Sequence, residues 1–72
     1  MMFNLEFLGL PKADVPTLIW RLDHQGPSAA EAAVSAMPIF IDRAPDEAHG
    51  FRLTDSAGKQ VYIWYREAKY AA

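Results

Sequence analysis

The most constraining feature of this chain is a hairpin pattern near its end. Residues 51–54 and 60–65 are typical of strands, and they flank residues 55–58, Asp-Ser-Ala-Gly. An Asp at the first position of a type I turn and a Gly at the fourth favour a hairpin, because Gly adopts a positive φ without strain. Closing this turn predicts three facing pairs: Asp55 with Lys59, Leu53 with Val61, and Phe51 with Ile63.

This register predicts a hairpin with two different faces. The apolar residues share one face, which we expect to belong to the core. The other face is half polar and half aromatic, with Arg52, Thr54, Gln60, Tyr62 and Trp64. We expect a partner to contact five residues on or near this second face: Tyr62, Trp64 and Arg52, with Ile19 and Arg21 beside them if the second strand lies close.

Three interpretations of this polar and aromatic face stay open. It could bind another protein, since aromatic and arginine side chains dominate the energy of many protein interfaces. It could stack nucleic-acid bases on Tyr62 and Trp64. It could also do neither, because cross-strand aromatic pairs stabilise an exposed sheet face by themselves.

Alternating and turn-forming residues predict two further strands. Phe3, Leu5 and Phe7 alternate with polar residues, which predicts a first strand. Residues 17–23 alternate in the same way and predict a second. Gly9, Pro11 and Pro16 lie in residues 9–16, which we therefore expect to form a loop.

A capping box and strong helix formers predict one helix. In residues 28–31, Ser-Ala-Ala-Glu, the serine side chain can accept from the amide of the glutamate. The helical spacing then predicts a buried stripe of Ala30, Val34, Met37 and Ile41. Pro38 falls inside this predicted helix, where a proline removes one hydrogen bond and clashes with the carbonyl of Val34 at a cost of about 3 kcal/mol. A helix that stops near Ala36, a short extended segment at 39–41, and a helix kinked at Pro38 that continues to Arg43 all compete, and the stripe favours the last.

The predicted order is strand, strand, helix, strand, strand. We therefore expect an α+β fold: a four-stranded antiparallel sheet with one helix on one face, in ββαββ order. The 72 residues predict one small domain, residues 1–72. Residues 66–72 are expected to fray or to add half a helical turn.

Composition narrows the functional classes. The chain has no cysteine, which excludes disulfides and thiolate metal sites and fits a reducing compartment. Its formal charge is −2, which disfavours nucleic-acid binding through phosphates. Because it contains neither a signal-peptide pattern nor an apolar run long enough to cross a bilayer, we expect no membrane partner and a cytoplasmic protein.

The size of the expected core predicts self-association. One helix, about 10–12 Å wide, cannot cover a four-stranded sheet about 19 Å wide. The apolar residues expected on the covered face are Phe3, Leu5, Phe7, Leu18, Trp20, Leu22, Phe51, Leu53, Val61, Ile63 and Tyr65. Each large side chain left uncovered forgoes about 1.5–3 kcal/mol of burial. We therefore expect a homodimer, by edge pairing or by packing of exposed ends, unless the segment after Pro38 folds over the sheet.

No pattern of catalytic residues is present. Asp23 and His24 are adjacent, so on a strand they would point to opposite faces and would not form a catalytic pair. A metal site made of His24, His49, Asp46 and Glu47 follows no known ligand spacing. We expect no catalytic, cofactor or metal site, and a non-enzymatic protein that acts by self-association or protein–protein interaction. The alternative is a nucleic-acid-binding module that uses Tyr62 and Trp64.

Overall fold

The computed structural model of this protein describes residues 1–66. The elements are β1 (Met2–Lys12), β2 (Val15–Gln25), α1 (Ala29–Arg43), β3 (Gly50–Thr54) and β4 (Gln60–Tyr65). The strands form one antiparallel sheet in the order β2-β1-β3-β4, and α1 packs on one face of it. The predicted α+β class, four-stranded sheet and ββαββ order are confirmed. Beyond Arg66, the predicted tail lies outside the described residues.

The first hairpin is longer than predicted. Residues 9–16 are not a loop, because β1 and β2 continue through them to a two-residue turn at Ala13 and Asp14. Both turn residues have positive φ, 52° and 64°, the backbone that matches the twist of paired strands. Ala-Asp is a weaker turn signal than Asn-Gly, which is why the sequence pattern missed it. Pro16 is tolerated because β2 lies at the sheet edge.

The second hairpin has the predicted turn and a different register. Asp55 Oδ1 accepts from the amides of Ala57 and Lys59, both at 2.9 Å, and the Asp55 amide donates to the Lys59 carbonyl. Beyond the Thr54–Gln60 pair the register shifts, so that Val61 is an extra residue in β4. A bulge of this kind moves every following side chain to the other face.

The two predicted pairs beyond the bulge are therefore wrong. Leu53 faces Tyr62, and Phe51 faces Trp64. Ile63 faces Arg52 instead of Phe51, and it projects away from α1 together with that arginine.

The helix begins and ends close to the predicted residues. Ser28 is the N-cap, and its side chain accepts from the amide of Glu31 at 3.2 Å. The helix continues through Pro38 to Arg43, so it neither stops near Ala36 nor becomes extended at 39–41. Pro38 has no amide hydrogen, so the carbonyl of Val34 lacks the hydrogen bond that any other residue at position 38 would donate to it.

The helix turns a different stripe to the sheet from the one predicted. The buried residues of α1 are Ala32, Ala36 and Phe40, whereas Val34 and Ile41 are 75% and 76% exposed. The two alanines allow close approach of helix to sheet. Phe40 then fills the space between the helix and the sheet. Its ring centroid lies 5.6 Å from that of Phe7, 5.8 Å from that of Phe51 and 5.5 Å from that of Trp64. The predicted stripe of Ala30, Val34, Met37 and Ile41 is therefore not the buried face.

The buried core lies on the two central strands, β1 and β3, and the two edge strands are less well covered. The core-face residues of β1 and β3 are all at most 1% exposed: Phe3, Leu5, Phe7, Phe51 and Leu53. On the edge strands, Leu18, Trp20 and Ile63 are exposed, and Leu22, Val61 and Tyr65 are partly buried. Leu18, Ile63 and Tyr65 were placed on the wrong face, because register shifts in β2 and β4 turn them away from α1. The expected shortfall of cover is thus confined to the edges.

Replacing Phe40 with Ala tests this packing. We expect Phe40→Ala to lower the free energy of unfolding by about 3–5 kcal/mol, since it empties a site surrounded by three aromatic rings. Ile41→Ala, one residue further and exposed, should change it by no more than about 0.5 kcal/mol. Urea unfolding of both variants, followed by far-UV circular dichroism, measures the difference. Equal effects would mean that Phe40 does not anchor the helix.

Candidate functional site

The structure separates the five residues that the sequence placed at one binding face. Tyr62 and Trp64 lie on the α1 side of the sheet, because their partners across the ladder are Leu53 and Phe51. Arg52 and Arg21 lie on the opposite side. Ile19, at a register shift in β2, packs against the core cluster. Since β1 and β3 lie between β2 and β4, neither Ile19 nor Arg21 is a neighbour of Tyr62 or Trp64.

Trp64 is a packing residue in this arrangement. Its ring meets that of Phe40 at 78° and lies 5.6 Å from that of Phe51. Arg66 stacks on the same Phe40 ring, with its guanidinium carbon 5.3 Å from the centroid, and donates to the carbonyl of Ala48. Removal of Trp64 is therefore expected to destabilise the fold and not only a contact surface.

Arg21 and Arg52 meet on a carboxylate that the sequence did not single out. Glu6 lies in the middle of β1, between Arg21 on β2 and Arg52 on β3. Its Oε2 accepts from Arg21 Nε at 3.1 Å and Nη2 at 3.0 Å. Its Oε1 accepts from Arg52 Nε at 2.7 Å and Nη2 at 2.6 Å. A charged residue inside an apolar strand was the available signal, but only the strand order could identify its partners.

This Arg21–Glu6–Arg52 cluster is better suited to holding strands together than to chemistry. Glu6 is only 4% exposed, and each of its oxygens already accepts from two guanidinium nitrogens. A carboxylate saturated in this way is not free to act as a base or to bind a metal. The cluster ties β2, β1 and β3 together on the face opposite α1.

A serine and a histidine also meet, which the sequence did not indicate. His24 lies on β2 and faces α1, and its Nε2 is 2.8 Å from Ser35 Oγ and 3.1 Å from the Ala32 carbonyl oxygen. Ser35 Oγ donates to that same carbonyl at 3.2 Å. Asp23 points to the other face of the sheet from His24, as predicted, and its partner across the ladder is Asn4. The pair has no orienting carboxylate from Asp23 and links β2 to α1, so its geometry favours a structural role over that of a nucleophile and base.

The acidic and histidine residues of the loops do not converge. Among residues 1–66, no group of three or more His, Asp or Glu side chains lies close enough to hold a metal ion. The amide of His49 donates to the carbonyl of Leu8 at 2.7 Å, which ties the loop before β3 to β1. Within the same residues, no helix has the length and apolar character needed to span a membrane.

An apolar groove lies between α1 and β4, and we call it the α1–β4 groove. It has a volume of about 800 Å³. Its walls are Ala30, Ala33, Val34 and Met37 from the helix and Val61 and Tyr62 from the strand. None of the described side chains that line it is charged. It is therefore a surface on which an apolar group can be buried without removing a charge from water.

The outer edge of β4 lies beside this groove and is unpaired among residues 1–66. In the part of the chain that the structure describes, β4 pairs only with β3. Arg66 donates its amide to the carbonyl of His49. By the alternation of an antiparallel ladder, the amides and carbonyls of Ile63 and Tyr65 then point outward, where another strand can pair with them. The segment 60–65 also contains no Pro, Gly or charged residue to prevent such pairing.

The other edge of the sheet differs in each of these respects. β2 contains Pro16, a register shift at Ile19, and the charged residues Arg21 and Asp23. These are the features by which natural sheets discourage pairing at an edge. The edge of β4 is thus the better candidate for contact with another chain.

Comparison with known proteins identifies no relative of this chain. Searches against protein-family models, curated proteins and solved structures found no match to the chain. The assignment of a function therefore rests on the geometry alone.

The charged cluster generates a prediction about stability. Arg52→Met should lower the free energy of unfolding by about 2–4 kcal/mol, because it removes a largely buried partner of a buried carboxylate. Arg21→Met should cost about 1 kcal/mol or less, since the Arg21 side chain is 56% exposed against 24% for Arg52. Chemical denaturation of both variants measures these values. A larger loss for Arg21→Met than for Arg52→Met would contradict this account.

Proposed function

We propose that this protein is a non-enzymatic binding module that acts by protein–protein interaction, through the edge of β4 and the α1–β4 groove. Its ligand is an extended, uncharged, apolar stretch of polypeptide that adds to the sheet as a further strand. The observation that carries this proposal is the coincidence of an open strand edge with an uncharged apolar groove beside it.

Strand addition uses both features together. The outward amides and carbonyls of β4 supply affinity for any extended backbone, whatever its sequence. Alternate side chains of the added strand project to the α1 side, where they meet the groove formed by Val34, Met37 and Tyr62. The groove therefore selects for apolar side chains at every second position.

The polar clusters of the described residues favour a non-enzymatic role. Both oxygens of Glu6 are occupied by arginines, and His24 and Ser35 are hydrogen-bonded to the helix backbone. We propose a cytoplasmic setting on the strength of the cysteine-free sequence. The nucleic-acid alternative loses its main support, because Trp64 packs under Phe40 instead of presenting a stacking surface.

A labelled peptide tests the proposal directly. The peptide carries the sequence of residues 59–66, Lys-Gln-Val-Tyr-Ile-Trp-Tyr-Arg, which is uncharged in its centre and soluble through its ends. We expect its fluorescence anisotropy to rise and saturate as the protein is added at micromolar concentrations. Val34→Lys should weaken binding about fivefold, which corresponds to about 1 kcal/mol, because it places a charge at the groove.

Two controls keep the result specific. Asp42→Lys introduces the same side chain on the same helix but outside the groove, and it should bind the peptide like the unchanged protein. A peptide in which prolines replace Tyr62 and Ile63 lacks an amide on each of its edges and should not bind. Equal binding of both peptides, or equal effects of the two lysine variants, would rule out strand addition at this groove.

A further inference from the structure

We infer that the strand received by β4 is β4 of a second copy of this chain, so that the protein is a homodimer with one continuous eight-stranded sheet. The two β4 strands pair antiparallel across a two-fold axis that is perpendicular to the sheet. This inference rests on the proposed function and names the partner at the same site.

Charge is the first reason that a second copy fits. In a two-fold interface each patch meets its own image, so a charged patch would face a like charge. The described lining of the α1–β4 groove is free of charge, and so is the whole of β4. This surface is therefore compatible with itself, because no charge has to leave water when it meets its own image.

The second reason is the stripe of α1 that the sheet leaves uncovered. Ala30, Val34, Met37 and Ile41 share one side of the helix, at spacings of four, three and four residues. The first three line the α1–β4 groove, and Met37 and Ile41 border Trp64 and Arg66 beside it. The helix thus has one apolar side on its own sheet and another directed toward β4, where a second copy would lie.

The spacing of strands determines how the two copies would meet. Each copy of α1 lies over the middle of its own sheet, so at about 4.8 Å per strand the two helix axes stand about 19 Å apart. Direct helix packing requires about 8–10 Å. The two helices would therefore not touch each other. The paired β4 strands form the floor of the space between them, and the two Tyr62 side chains, each of which lines the groove of its own copy, project into it.

The two edges of the sheet also explain why assembly would stop at two copies. Pairing of β4 with β4 consumes the open edge of each chain. The edges that remain are both β2, which carries Pro16, a register shift and charged side chains. A closed dimer is therefore favoured over a growing filament.

Light scattering after size exclusion tests the inference on the full chain. We expect the mass of two chains at submillimolar concentration and dissociation toward one chain on dilution. Ile63→Pro removes an amide that points away from β3, so it should block pairing without breaking the β3–β4 ladder. Both Ile63→Pro and Val34→Lys should give monomers with an unchanged circular dichroism spectrum.

Two variants at other surfaces serve as matched controls. Leu18→Lys, at the exposed edge strand β2, and Asp42→Lys, on the far side of α1, should both remain dimeric. Loss of the dimer in Leu18→Lys, or its persistence in both Val34→Lys and Ile63→Pro, would place the contact elsewhere and overturn the inference.

The peptide titration separates this inference from the function on which it rests. A chain that stays monomeric at submillimolar concentration and still binds the peptide would overturn the second copy as partner and leave strand addition standing. A monomer that binds no peptide would overturn both.

Discussion

One helix, about 10–12 Å across with its side chains, lies on a sheet whose four strands span about 19 Å. This difference in width governs the rest of the structure. The side chains of β1 and β3 that face α1 are at most 1% exposed, while Trp20 on β2 remains 60% exposed. The groove beside β4 follows from the same shortage of cover, whereas the edge of β4 is available because it is the last strand of an open sheet. The apolar part of the surface proposed for binding is thus a consequence of how little one helix can shelter.

The face of the sheet opposite α1 carries a buried charge. No helix of the described residues 1–66 covers this face, yet Glu6 at its centre is buried. Two arginines from the neighbouring strands provide the cover and the counter-charge together. The two arginines come from the strands on either side of Glu6. The cluster therefore also disfavours any sheet order that would separate β2, β1 and β3. Separating these strands would leave the buried Glu6 carboxylate without its counter-charges, which is costly.

A single extra residue in β4 changed the identity of the candidate site. The turn at residues 55–58 was predictable because Asp and Gly have definite roles in it. The bulge at Val61 was not, since no residue type requires one there and its stability depends on the packing that follows. By turning Trp64 toward Phe40 and Ile63 toward Arg52, the bulge places the larger ring in the core. Every assignment of face beyond that point reversed with it.

The local structure was predictable from the sequence: the number and order of the elements, the capped start of the helix, and the turn of the second hairpin. These depend on short-range steric and hydrogen-bonding preferences that a few neighbouring residues fix. Tertiary structure alone decided which strands are central, which of two apolar stripes of α1 meets the sheet, and which residues share a face. Both stripes are apolar, so the helical period does not choose between them. The face with two alanines lets α1 approach the sheet closely, and Phe40 then meets the rings of the core.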